Sequence, residues 1–143
     1  MLKGIPKLIS PELLKILCEM GHGDEIVISD ANFPAQNYGK RVIRADGLSG
    51  TEVLEAVMNL LPLDTYADEN LILMELVESD KGKVNPTIWD EYIKIANKHD
   101  ENVKIGKMER FAYYDRAKEA YAIIATGEEA IYANIILKKG VIK

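Results

Sequence analysis

Apolar residues recur at helical spacing along several parts of this chain, and the recurrence predicts four helices. The predicted helices are Ser10–Gly21, Val53–Leu61, Asn85–Ile95 and Arg110–Ala120. Ser10 and Pro11 are typical of a helix start, because a serine oxygen caps free N–H groups and proline fits the first helical position. Pro62 ends the second helix, since proline cannot continue the hydrogen-bond ladder.

Short, continuous apolar runs lie between these helices and predict strands. The predicted strands are Ile26–Ile28, Val42–Ala45, Leu71–Val77, Val103–Lys107, Tyr121–Ala125 and Ile131–Leu137. Several of these runs lack polar alternation, so both faces of the sheet should be covered. The sequence therefore predicts an α/β fold, a three-layer sandwich in which helices flank a mixed β-sheet.

The last two predicted strands are close in sequence, and Gly127 lies between them. We expect Tyr121–Ala125 and Ile131–Leu137 to pair as an antiparallel hairpin, which would make the sheet mixed. The chain has 143 residues and no internal repeat or low-complexity tract. We therefore expect residues 1–143 to form a single domain.

Composition narrows the class of protein. Hydrophobic residues make up 48% and charged residues 29%, which is typical of a soluble globular domain, and the net charge of -5 argues against a general nucleic-acid binder. We find no signal peptide and no apolar run approaching the roughly 18 residues of a membrane span. The single cysteine, Cys18, favours a reducing cytoplasm. Its place on the apolar stripe of the first helix predicts a buried, inert thiol.

The signatures of common cofactor sites are missing. Gly21-His22-Gly23 precedes a strand and lacks the third glycine of the dinucleotide-binding motif, and there is no phosphate loop. Two histidines and one cysteine do not make a zinc site. The second histidine, His99, lies in a polar run that predicts a solvated loop. We therefore expect neither a metal nor a cofactor.

The segment Met20–Pro34 is the most informative for chemistry. It places His22 between two glycines at the end of a helix, and Asp30 directly after the first strand. Glycines leave a neighbouring side chain uncovered, and an imidazole titrates near neutrality. His22 is therefore a candidate general acid/base for a proton transfer such as the opening of a sugar hemiacetal. The alternative is structural, in which His22 binds the last free carbonyls of the helix.

Tyr132 and Asn134 are polar residues inside an apolar run. Residues two apart on a strand point to the same face, so Ile131, Ala133 and Ile135 would face the core, while Tyr132 and Asn134 share the other side. Polar side chains are costly to bury without partners. The pattern therefore favours a binding role for this pair.

Three segments, in this order and at these separations, resemble the ribose pyranase and L-fucose mutarotase family. They are Met20–Pro34, Glu109–Lys118, and Thr126–Glu128 with Tyr132–Val141. The similarity runs from about Leu2 to Val141. It is closer to the L-fucose mutarotase branch, chiefly through the Arg110 segment and Ile43–Gly47. Ala133 departs from that branch, which has glycine there, and matches the ribose branch.

The resemblance implies a cofactor-independent isomerase that interconverts the α and β anomers of a free monosaccharide, with L-fucose as the first candidate substrate. It also implies closed homo-oligomeric rings such as decamers. By matching position, His22 would be the general acid/base, and Asp30, Arg110, Tyr132 and Asn134 would bind the sugar. For Arg110 the alternative is a surface ion pair with a neighbouring carboxylate. The alternative functions are a ribose pyranase, a non-catalytic sugar-binding protein and a purely structural oligomer.

His22 and Asp30 lie on opposite ends of a predicted strand. At about 3.3 Å per residue the two residues would be roughly 17 Å apart or more, which exceeds the span of one hexose. Either the Gly23-Asp24 turn brings His22 back over the strand, or the two residues serve sites in different copies of the chain. The sequence leaves both arrangements open.

Overall fold

The computed structural model describes all residues from Met1 to Lys143. The helices are α1 (Pro11–Glu19), α2 (Ala35–Tyr38), α3 (Gly50–Met58), α4 (Ile88–His99) and α5 (Arg110–Glu119). The strands are β1 (Glu25–Ser29), β2 (Val42–Ala45), β3 (Leu71–Met74), β4 (Ile105–Met108), β5 (Ala122–Thr126) and β6 (Ile135–Lys138). The strands form one mixed sheet with helices on both faces, so the predicted three-layer α/β sandwich is confirmed.

The two faces of the sheet have separate cores. In β1, Ile26 and Ile28 pack with α1, α3 and α4, whereas Val27 between them packs with α2 and α5. The same alternation runs through β5, where Ile123 and Ile124 point to opposite cores. Because both faces are covered, the central residues of these strands are apolar on both faces, which explains their continuous runs in the sequence.

Local signals predicted four of the five helices, missed the short α2, and misplaced two side chains. The Ser10 hydroxyl accepts from the Leu13 N–H at 3.1 Å, as expected for the start of α1. Cys18 is exposed, so the prediction of a buried thiol is wrong; the face of α1 that meets the sheet runs through Leu13 and its helical neighbours instead. His99 is also not in a loop. It ends α4, with Nε2 3.0 Å from a carboxylate oxygen of Glu55.

The strand order is β2-β5-β1-β6-β3-β4. The predicted hairpin between Tyr121–Ala125 and Ile131–Leu137 is wrong, because β1 lies between β5 and β6 and pairs with both. A fully buried strand such as β1 needs a partner on each side, and this requirement outweighs closeness in sequence. Residues 131–134 are also not strand, and Ile131 is 52% exposed rather than buried in the core.

Only β6 runs against its neighbours; the other five strands run in the same direction. Their carboxyl ends therefore meet at one edge of the sheet, which we call the carboxyl edge, and β6 begins there. We call the opposite side the amino edge. None of the helices contains a stretch that is long and apolar enough to cross a membrane.

Candidate active site

A cavity of about 350 Å³ opens at the carboxyl edge. Its size falls within the range of small-molecule sites. Asp30, Arg110, Tyr132 and Asn134 all line it. The topology brings them together, because Asp30 follows β1, Arg110 follows β4, and Tyr132 and Asn134 precede the antiparallel β6.

Asp30 and Asn134 form a reciprocal pair at the base of the cavity. The Asn134 amide donates to an Asp30 carboxylate oxygen at 3.1 Å, and the Asp30 N–H donates to the Asn134 side-chain oxygen at 2.8 Å. The Asn32 N–H donates to the second Asp30 oxygen at 3.0 Å. Burial raises the pKa of Asp30, and these hydrogen bonds oppose the rise without cancelling it. The pair is therefore rigid before any ligand enters.

Tyr132 occupies a turn rather than a strand. Its φ of 59° lies in the left-handed region, and it is the only residue other than glycine with positive φ. Its hydroxyl donates to a carboxylate oxygen of Asp80 at 2.6 Å. Tyr132 and Asn134 do both reach the cavity, as predicted, but the turn directs Tyr132 there and not the alternation of a strand.

Arg110 is the cation of the cavity. The Glu109 carboxylate accepts from the N–H groups of Phe111 and Ala112, and so caps α5 instead of pairing with Arg110. The Arg110 Nε donates to the Tyr114 hydroxyl at 3.2 Å, and Arg110 forms no salt bridge. The ion-pair alternative is therefore wrong, and the rest of the guanidinium is available for a ligand.

Other lining residues were not predicted as site residues. Asp80 belongs to a single 3-10 turn, Glu78–Asp80, and its position over the cavity has no local sequence signal. Tyr114 stands four residues after Arg110 on α5, a helical spacing that could have identified it. Phe33 and Met74 contribute apolar surface to the same cavity.

His22 lies at the amino edge and does not line this cavity. Its Nε2 is 2.8 Å from an oxygen of Asp64, a buried residue. His22 therefore does not serve as a cap for the carbonyls of α1. The imidazole is 45% exposed and lies beside the ring of Tyr66, with 5.3 Å between the ring centroids.

Asp64 is held as a carboxylate. Burial acts to raise its pKa, but hydrogen bonds from His22 and from the N–H groups of Tyr66 and Ala67 outweigh this, and the net pKa is lowered. An ionised carboxylate only accepts hydrogen bonds, so Nε2 of His22 carries the hydrogen that points at Asp64. Nδ1 is the ring nitrogen that does not contact Asp64.

The turn before β1 directs His22 away from the cavity. Gly23 has φ of 87°, and its N–H donates to the Lys139 carbonyl at 2.8 Å, just after β6 ends. The idea that the Gly23-Asp24 turn brings His22 back over the strand is therefore wrong. Within one copy of the chain, His22 and Asp30 lie at opposite ends of β1.

Fold and cavity together define an α/β protein with a small cavity, lined by both polar and apolar side chains, at the carboxyl edge of its sheet. The chain belongs to the RbsD / FucU transport protein family, whose model matches residues 3–142. It is 54% identical to the fucose mutarotase of Mus musculus over 143 residues, which is 97% of this chain and 94% of that protein.

Two solved structures show how closely the fold agrees. The fucose mutarotase of Streptococcus pneumoniae, solved in complex with L-fucose, superposes with a TM-score of 0.92 at 48% identity, covering 99% of this chain and 100% of that one. RbsD of Bacillus subtilis, solved in complex with D-ribose, superposes with a TM-score of 0.78 at 26% identity, covering 100% of both chains. Ala133, the position that matched the ribose branch, is fully buried in the core and does not line the cavity.

Proposed function

We propose that this chain is an L-fucose mutarotase, a cofactor-independent isomerase that interconverts the α and β anomers of the free sugar. The observation that carries the proposal is a hexose-sized cavity in which a buried Asp30–Asn134 pair faces the cation of Arg110. The roughly 50% identity to fucose mutarotases over almost the whole chain supports it.

Mutarotation needs a proton to leave the anomeric hydroxyl while another reaches the ring oxygen. The ring then opens, the aldehyde turns about the C1–C2 bond, and the ring closes on the other face. Asp30 and Asn134 supply acceptors and donors for adjacent sugar hydroxyls and so fix the ring. Arg110 stabilises negative charge that develops on the ring oxygen or the anomeric oxygen.

The apolar part of the cavity suits a deoxy sugar. C6 of L-fucose is a methyl group, and Phe33 and Met74 line the cavity with apolar surface. L-Galactose differs from L-fucose only by a hydroxyl on C6, and an apolar pocket discriminates against such an addition by about 100-fold at most. We therefore expect L-galactose to be a slower substrate, and equal rates for both sugars would contradict the methyl subsite.

We propose that the active form is a homo-oligomer that closes into a ring such as a decamer. In this oligomer, His22 of a neighbouring copy reaches the cavity. The two edges carry the surfaces for such a contact. Phe111 at the carboxyl edge is 64% exposed, and Tyr66 beside His22 and Ile142 near the C-terminus are 67% and 85% exposed. A contact between two different surfaces is head-to-tail, and it closes into a ring when the rotation permits.

The reaction is tested by NMR saturation transfer between the anomeric protons of L-fucose, with and without the protein. Enzyme-dependent exchange at neutral pH would establish the mutarotase. Since His22 lies outside the cavity of its own chain, a protein that stays monomeric should bind the sugar without turnover, as the sugar-binding alternative requires. Faster exchange between the ring forms of ribose than between those of L-fucose would move the assignment to the ribose pyranases.

The shared site is tested by complementation. His22→Ala and Asp30→Asn should each be inactive alone, because each removes one half of the site. Refolded together in equal amounts, they should regain activity at about a quarter of the sites, where a Asp30→Asn copy donates His22 to the cavity of a His22→Ala copy. No recovery in verified mixed oligomers would contradict the proposal that a neighbouring copy donates His22 to the cavity.

The single cysteine supports a reducing compartment, and we propose that the protein acts in the cytoplasm. The acidic balance of the chain supports neither a nucleic acid nor a membrane surface as partner. Fractionation of source cells, with the enzyme activity as the marker, would test the location.

A further inference from the structure

Tyr132 is held in an unfavourable backbone conformation. A bulky residue with φ of 59° is rare, and such conformations persist only where the surroundings hold them. The holding contacts come from two elements outside the turn: helix α4, and the segment between β3 and α4 that includes Asp80. Asp80 lines the cavity, but neither Asp80 nor any residue of α4 is among the four residues proposed to bind the sugar.

Helix α4 holds the backbone of the turn. The Trp89 indole N–H donates to the Tyr132 carbonyl at 2.8 Å, and the Tyr92 hydroxyl donates to the next carbonyl, that of Ala133, at 3.0 Å. Trp89 and Tyr92 are three residues apart and therefore share one face of the helix. The position of Tyr92 depends on Gly50, because a Cβ there would lie 1.9 Å from the Tyr92 hydroxyl oxygen.

The segment after β3 holds the hydroxyl of the same residue. Tyr132 donates to Asp80 at 2.6 Å and accepts from the Val77 N–H at 3.2 Å. A phenol has one hydrogen to donate and two lone pairs to accept with. The donor and one lone pair are thus already used, and one lone pair remains. Burial, and after it the hydrogen bond to Asp80, raises the pKa of Tyr132, so the phenol stays protonated.

We propose that Asp80 and Trp89 are positioning residues that make Tyr132 a hydrogen-bond acceptor, and not a donor, toward the substrate. Asp80 accepts the hydrogen of the Tyr132 hydroxyl, so this hydrogen is not free for the substrate. Trp89 fixes the backbone of Tyr132 and so directs its ring into the cavity. The sugar must then offer a hydroxyl hydrogen to Tyr132, while its acceptor needs are met by Arg110 and Asn134. This inference rests on the proposed function for the identity of the ligand, although the geometry of the clamp does not depend on it.

The kinetic test is a double-mutant cycle on L-fucose mutarotation. Asp80→Ala and Tyr132→Phe should each lower kcat/KM by about 10-fold, a typical effect of losing a hydrogen bond to a charged group. Asp80→Ala should cost nothing further in the Tyr132→Phe background, because Asp80 acts through the hydroxyl. Asp80→Asn, whose amide oxygen still accepts, should recover most of the loss. Fully additive losses would overturn the positioning role.

Matched controls separate this role from general destabilisation. Glu78→Gln changes another carboxylate of the same 3-10 turn, one whose side chain is exposed and pairs with Lys81. Tyr121→Phe removes a hydroxyl that binds Glu19 far from the cavity. Both variants should keep wild-type kcat/KM. Trp89→Phe should raise KM more than it lowers kcat, since the ring remains but the backbone of the turn is released.

Hydrogen exchange tests the clamp without any sugar. Trp89 is the only tryptophan, so its indole N–H gives a single NMR signal, which reports on the hydrogen bond to the Tyr132 carbonyl. Asp80→Ala and Tyr132→Phe should speed exchange of the Val77 amide by about 10-fold, while the core amides of β1 stay unchanged. Unchanged Val77 exchange in both variants would overturn the clamp. If the wild type turns over no sugar, the proposed function fails, and the exchange result alone decides the positioning role.

Discussion

The carboxyl edge and the amino edge each hold a buried aspartate, and the two carboxyl groups are tuned in opposite directions. Asp30 at the carboxyl edge has a raised pKa, because burial outweighs its neutral hydrogen-bond donors. Asp64 at the amino edge has a lowered pKa, because an imidazole adds to its backbone donors and together they outweigh burial. The direction of each pKa shift therefore follows from the balance between burial and the hydrogen bonds that each carboxyl group accepts, and this balance differs between the two edges.

The difference matches two tasks. Asp30 is locked to Asn134 inside a cavity that suits binding, where rigid polar groups recognise hydroxyls. Asp64 holds His22 on an exposed surface, where an oriented imidazole suits proton transfer. We infer that binding and proton transfer are placed at opposite edges of one sheet and become one site only between copies.

The largest effect that separates the two edges should come from His22→Ala. Loss of a general acid/base lowers kcat by about 10² to 10⁴-fold. Binding of L-fucose, measured by titration calorimetry, should persist because the cavity residues remain in place. His99→Gln is the control, since it changes the only other histidine and should leave kcat unaltered. Loss of binding together with activity would contradict the division between the edges.

The second largest effect should come from Arg110→Ala, which lowers kcat through the cavity at the carboxyl edge. Removing one preorganised donor beside developing negative charge costs about 10² to 10³-fold in kcat. The melting temperature should change little, because Arg110 is exposed and forms no salt bridge. Arg44→Ala, which breaks an exposed ion pair with Asp46, is the matched control and should have full activity. An equal loss of kcat in Arg110→Ala and Arg44→Ala would contradict a role for Arg110 in the site.

Asp64→Asn should have an intermediate effect on the amino edge. The amide no longer enforces a hydrogen on Nε2 of His22, so kcat should fall by about 10-fold. Stability should fall by about 1 to 3 kcal/mol at neutral pH, because charge-assisted hydrogen bonds in a buried site are lost. Since the folded pKa of Asp64 is lowered, its stabilisation is present above the unfolded pKa and is lost as the pH falls. Denaturant unfolding at several pH values should therefore show the gap between wild type and Asp64→Asn narrowing in acid.

Asp30→Asn should give the smallest effect on stability and the opposite pH dependence. Because the folded pKa of Asp30 is raised, its contribution to stability is present below the unfolded pKa and is lost as the pH rises. The variant should therefore gain stability relative to wild type as the pH rises above the unfolded pKa of an aspartate, about 3.9. The same unfolding experiments measure this. If the stability difference between wild type and variant changes with pH in the same direction for Asp30→Asn and Asp64→Asn, the contrast between the two edges is wrong.

Local sequence signals were sufficient for the longer helices and for the approximate positions of the strands, but they missed the short helix α2. Capping residues and apolar spacing located the longer helices, and uninterrupted apolar runs located the strands, because these features depend on neighbours in the chain. The family resemblance supplied Asp30, Arg110, Tyr132 and Asn134, and all four line one cavity. Their catalytic and binding roles remain predictions for the variants above to test.

Only the tertiary structure decided how these pieces meet. Burial of β1 on both sides separated β5 from β6, which no local pattern could show, because strand pairing joins residues about a hundred positions apart. The same topology places His22 at the amino edge, where it pairs with Asp64. It also places Asp80 and Trp89 in contact with Tyr132. Residue type and short-range spacing therefore determined what chemistry the chain carries. Long-range packing determined which of those groups can act together.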